Sequence, residues 1–134
     1  MSTGRPSGRL GQGFLALVAA VFGLVTLVAG GRVLAGADPG YVVFRPLVIF
    51  NTAMGVAYLA SAVIMWRSRA RGKVAAVTIF GLNLLVLGVI GYLYTAGGAV
   101  AIDSVRAMTF RTGAWLVLFL GLAWLDRRSL APGR

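Results

Sequence analysis

The stretch from Asp103 to Arg128, DSVRAMTFRTGAWLVLFLGLAWLDRR, sets the terms for the rest of the chain. Its uncharged run, Thr112 to Leu125, falls short of the about 20 residues that a helix needs to cross a bilayer core. To span, the helix must draw in Ala107 to Phe110, which places Arg111 inside the span, more than a turn from its end. A guanidinium costs about 2.5–3.5 kcal/mol at the bilayer centre and less near an interface, so something must offset it.

The remainder of the chain agrees with a membrane reading. Of 134 residues, 59% are hydrophobic and 12% charged, too apolar a balance for a soluble domain of this length. One all-α membrane domain, about 10–128, is expected, with a disordered tail at 1–9 and a second tail at 129–134. The chain has no cysteine and no histidine, which excludes disulfides, thiol redox chemistry and His-ligated haem, and leaves zinc without its usual ligands. Asp38, Asp103 and Asp126 are the only carboxylate side chains, so general acid–base catalysis has few candidates. No metal, cofactor or enzymatic activity is expected. The net charge of +10 does not point to nucleic acid, because the thirteen Lys and Arg are spread over tails and connections rather than gathered on one face. Basic flanks on apolar spans instead set topology and meet anionic lipid headgroups at the cytoplasmic face.

Taken in order, the first apolar run, Phe14 to Ala29, is interrupted only by Thr26 and predicts a span of about 10–34. A basic start, an apolar run and Ala35-Gly36-Ala37 also resemble a secretory signal with a cleavage site. Against that reading, the run is long for a signal and Arg32 interrupts the approach to the site. Asp38-Pro39-Gly40 is turn chemistry, in which the aspartate can bond the backbone beyond it. Pro46 sits where a first-turn proline is tolerated, and opens a second span of about 46–66. Within it Asn51, Gly55, Tyr58 and Ala62 fall on one helical face. The basic segment Arg67 to Lys73 is a tight connection to a third span, about 74–94, with Gly81, Gly88 and Gly91 on one face and Asn83 away from them. Asp103 is placed to cap the fourth helix, about 107–125, and to complement its dipole.

Orientation follows from the basic residues. Nine lie in the N-tail, the second connection and the C-tail, against four in the first and third connections with Arg111 included. The positive-inside rule then puts both termini in the cytoplasm, in a four-helix membrane bundle of the inner (plasma) membrane. Trp66 and Trp124 are expected at the cytoplasmic boundary, and Tyr41, Tyr92, Tyr94 and Trp115 toward the outer one.

Arg111 admits three readings: an anion or counter-charge site, snorkelling with its guanidinium near Trp115, or an ion pair with Asp38 or Asp103. Asp103 and Arg106, three apart, face one another on a helix. Asp38, Asp103, Arg106 and Arg111 are thus a candidate charge network at one mouth of the bundle. Asn51 and Asn83 are costly in hydrocarbon unless bonded, so both should face inward as helix–helix glue or line a path, with Tyr58 beside Asn51. The Gly81/Gly88/Gly91 face and Ala16, Ala20 and Gly23 are close-packing surfaces.

Pro46-Leu47…Phe50-Asn51…Gly55…Tyr58, with Arg106-Ala107-Met108-Thr109…Arg111-Thr112…Trp115, resembles a group of small four-span bacterial membrane proteins without a characterised activity. The likeness covers about 45–125 and implies a four-helix membrane bundle. Other four-span classes fit less well. Small multidrug transporters carry a glutamate in the first span, the fluoride-channel class has a Thr/Ser/Phe-rich break in its third, and vitamin K-type oxidoreductases need cysteines. The expected role is a non-enzymatic accessory subunit, a homo-oligomer or a partner of another membrane protein. The alternative is a component of a transporter or channel for a small or anionic solute.

Overall fold

A computed structural model describes residues 6–130, which form four helices joined by short connections: α1 (Pro6–Leu34), α2 (Arg45–Arg67), α3 (Arg69–Thr95) and α4 (Ile102–Leu130). Each is long and apolar enough to cross a membrane. The chain is therefore all-α, and its helices pack in the ring α1–α2–α3–α4–α1. Short connections make sequential neighbours antiparallel.

The helix boundaries extend beyond the apolar runs. α1 begins at Pro6, so residues 6–9 are helical rather than part of a disordered tail; a first-turn proline loses no intrahelical bond. Residues 1–5 and 131–134, the remainder of the expected tails, lie outside the described residues. α3 starts at Arg69 instead of near 74, because Ser68 alone separates it from α2. Ser68 is extended, and its side chain accepts a hydrogen bond from the Arg71 N–H at 3.3 Å, the work of an N-cap. α4 starts at Ile102, five residues before the expected boundary, which puts Asp103 in the first turn rather than at the cap. There its charge still complements the dipole. The first connection turns as expected: Gly40 takes a positive φ of 82° and donates its N–H to Asp38 Oδ1 at 2.8 Å.

Close approach of α1 and α2 rests on glycine. A Cβ added to Gly23 would come within 3.0 Å of the Gly55 carbonyl and the Leu59 nitrogen, and one on Gly55 would meet Leu27 Cγ at 2.7 Å. Gly30 leaves room for Thr52 in the same way. Such small residues let backbones touch and gain dispersion contact, the main attraction available between helices in lipid. The Gly81/Gly88/Gly91 face of α3 is different. Nothing lies within 4 Å of a Cβ built on any of the three. Among the described residues that surface packs against no other helix.

The core forms two layers. The larger joins all four helices through Ala16, Ala19, Met54, Tyr58, Met65, Ile79, Trp115 and Leu122. A smaller layer at the end carrying the first and third connections consists of Leu47, Ile90, Val100 and Met108, and α1 contributes nothing to it. Facing that layer, α1 offers Thr26, Ala29 and Gly30, too small to complete it.

The glycine contrast is testable by thermal unfolding of the single chain in detergent. Gly55→Ala is expected to cost about 1–3 kcal/mol by overpacking. Gly81→Ala and Gly88→Ala should leave stability unchanged or raise it by up to about 1 kcal/mol, since alanine is the better helix former.

Candidate functional site

The polar groups fall into three sets, and buried atoms without a partner occur in two of them: Asn83 Nδ2 and Trp115 Nε1 at the centre and Asn51 Oδ1 at one end. At the centre, Tyr58 and Asn83 are fully buried and the tyrosine hydroxyl donates to Asn83 Oδ1 at 3.1 Å. Tyr58 also packs on the buried Trp115 ring, centroids 4.8 Å apart, across the diagonal from α2 to α4. This joins three helices by one hydrogen bond and one ring contact. Trp115 is thus a core residue. It does not join the outer aromatic belt, and no ring contact links it to Arg111.

The second set closes the end that carries the α2–α3 connection. Gln12 Nε2 donates to the carbonyls of Met65 at 2.7 Å and Trp66 at 3.2 Å. These are among the last carbonyls of α2, which have no intrahelical partner of their own. Arg69 Nε donates back to Gln12 Oε1 at 3.0 Å and its Nη1 reaches the Leu125 carbonyl at 3.5 Å. Lys73 forms an ion pair with Asp126. The side chains of Gln12 and Arg69 so tie α1, the α2–α3 turn and α4 together. Sequence reasoning passed over them; the signal was available, because Gln12 is the one amide at the mouth of an apolar run that ends beside orphan carbonyls. Arg128 lies over Trp124 at 4.6 Å at the same end.

The third set lines a cavity of about 320 Å³ at the opposite end, between α1, α2 and α4. Its walls include Thr26, Gly30, Arg32, Asp38, Asn51 and Arg111. The cavity exists because α1 supplies no side chain to the end layer of the core. One turn before Thr26, Phe22 stacks on Phe110 at 5.7 Å. Asn51 is 9% exposed and its Oδ1 is buried without a partner. Thr26 is 3% exposed. Of the six threonines within the described residues, five donate to a carbonyl three or four residues back in their own helix, and Thr26 is the exception. Arg111 is half-buried, and no hydrogen bond or ion pair to it is present among the described residues.

The expected charge network is therefore only partly assembled. Asp38 and Arg111 share the cavity without forming an ion pair. Asp103 and Arg106 are exposed in the first turns of α4, do not line the cavity, and do not pair with each other among the described residues. An i,i+3 pair exposed to water gains too little to be held in one geometry. Asn51 and Tyr58, expected on one face, are both buried on it, but Asn51 meets the cavity while Tyr58 meets Asn83. Chemically, the cavity presents hydroxyl, amide and guanidinium groups, suited to holding an acceptor rather than to moving protons.

Protein-family models, curated proteins and solved structures were all compared with this chain, and none matches.

The clasp yields a second prediction. Gln12→Leu leaves the Met65 and Trp66 carbonyls and the Arg69 guanidinium without their shared partner, and should lower stability by about 1–3 kcal/mol. Urea-free thermal melts in a mild detergent, read by tryptophan fluorescence, would record it.

Proposed function

We propose that the chain is a small non-enzymatic membrane subunit that works by packing, and that its partner is a second copy of itself bound through α3. The observation that carries this reading is the repetition of spacing. Gly23 and Gly30, seven apart, give α1 its close approach to α2. Gly81 and Gly88, also seven apart, lie on an α3 surface that nothing among the described residues covers. Leu84, Leu85, Val89 and Tyr92 surround them and make a shallow apolar groove. In lipid, a small-residue groove of this kind favours another helix over mobile acyl chains. With three aspartates, no glutamate, no histidine and no cysteine, the chain offers little for catalysis.

The same reading places the protein in a bacterial inner (plasma) membrane, with both termini and the α2–α3 connection in the cytoplasm. The excess of basic residues on those segments supports it, and the exposed Arg67, Arg71, Arg127 and Arg128 would meet anionic headgroups there. The resemblance to small four-span bacterial proteins supports this placement. A second reading, a component of a transporter or channel for a small or anionic solute, is favoured by the cavity that holds Asn51 and Arg111.

Förster transfer between labelled copies in lipid vesicles tests the assembly. Wild-type chains are expected to show transfer that falls on dilution with lipid. Gly88→Leu should abolish it, and Gly113→Leu, at an equally open glycine of α4, should not. Equal transfer in all three, or none in the wild type, would remove α3 self-association.

A further inference from the structure

We infer that the cavity bounded by Thr26, Asn51 and Arg111 is a binding site for an oxyanion, a carboxylate or phosphate group carried by a small solute or by a lipid headgroup. The inference rests on the solute-handling reading and does not need the α3 assembly.

Three helices each send one polar side chain into this space, and none of the three has a hydrogen-bond or ion-pair partner among the described residues. Thr26 from α1 departs from the back-bonding of every other described threonine. Asn51 from α2 is nine-tenths buried with an unpaired amide oxygen. Arg111 from α4 brings a guanidinium. Buried polar groups in folded proteins are normally bonded, and here the buried Asn51 Oδ1 lacks a partner beside an unbonded threonine and an unpaired half-buried guanidinium that face the same space, a combination that points to an occupant. Its chemistry follows from the donors. A guanidinium donates only, in a planar fork that matches two oxygens of a carboxylate or phosphate. A threonine hydroxyl and the Nδ2 of an asparagine amide can both donate to the same group, while the buried Asn51 Oδ1 accepts from a protonated oxygen of it or from a water it carries.

Charge selects against a cation. Arg32 and Arg111 outnumber Asp38 on the walls, and Asp38 Oδ1 already accepts the Gly40 N–H at 2.8 Å. Tyr41 is exposed at the same end and completes the rim. The cavity of about 320 Å³ has room for a headgroup or a small acid.

The full chain in phosphatidylcholine nanodiscs provides the test, with thermal unfolding read against inorganic phosphate and acetate, and chloride at matched ionic strength as comparator. Phosphate or acetate should raise the wild-type midpoint saturably where chloride does not. Asn51→Leu and Thr26→Val, which remove groups without protein partners, should unfold at the wild-type midpoint when no oxyanion is present. Each should weaken the oxyanion response by about tenfold, as loss of one bond to a charged group requires. Arg111→Lys, which keeps the charge but not the fork, should weaken it as well, and carries the test if either other variant fails to fold. A second arm replaces part of the phosphatidylcholine with phosphatidylglycerol. Stabilisation of the wild type there, lost in Asn51→Leu, with no response to free anions, assigns the group to lipid. No response in either arm, or equal responses in wild type and variants, overturns the site. Oxyanion binding without flux in loaded vesicles would retain the site and remove the transport reading.

Discussion

Hydrocarbon offers no hydrogen-bond partner, and every polar atom inside these four helices is governed by that fact. The backbone answers it by being helical almost throughout the described residues. Side chains answer it pair by pair. Tyr58 meets Asn83 in the middle of the bundle, and Gln12 meets the carbonyl ends of α2 where the helix can no longer serve them. Two atoms are left over at the centre, Asn83 Nδ2 and Trp115 Nε1, and a further group of unpaired side chains surrounds the cavity at Arg111. That cavity is a consequence of the small α1 residues at that level, so the unpaired polar groups there and the space beside them have a common origin in the sequence.

The second governing term is contact at short range. Between α1 and α2, glycine removes the Cβ atoms that would hold the backbones apart, and the larger core layer can form around that tight pair. α3 carries similar glycines facing away from the bundle. The two halves of the molecule thus spend the same device in different directions: one inward, to make the fold, and one outward, where it is free to bind another helix. The polar cavity lies elsewhere, among α1, α2 and α4, so it and the α3 groove are separate surfaces of the bundle.

Much of the fold was legible before the structure, and the reasons are local. Apolar runs of membrane-crossing length identify helices regardless of tertiary context, and Asp38-Pro39-Gly40 and Pro46 carry their own backbone geometry. Boundaries were less legible, because arginine and lysine continue a helix past the end of its apolar run, as at Arg69 to Lys73. Facing was legible where a polar residue forced it: Asn51 and Asn83 had to turn inward. It was not legible elsewhere. Trp115 went to the core rather than the interface, where its ring packs on Tyr58 although its indole N–H has no partner, and the α3 glycines turned outward, a position lipid does not penalise. The candidate site was half visible. Arg111 and Asn51 stood out by composition, while Thr26 did so only once its neighbours' back-bonding showed that it alone had declined it.

Because the chain contains no cysteine, accessibility can be read one position at a time. Single cysteines at positions 26, 51 and 81, in vesicles, can be exposed to small water-soluble methanethiosulfonates of either charge. A wet, positively charged cavity inside the bundle predicts that Thr26→Cys and Asn51→Cys react, faster with the anionic reagent than the cationic, while Gly81→Cys on the lipid-facing groove does not. Positions 26 and 51 as inert as 81, or more reactive toward the cation, would contradict it.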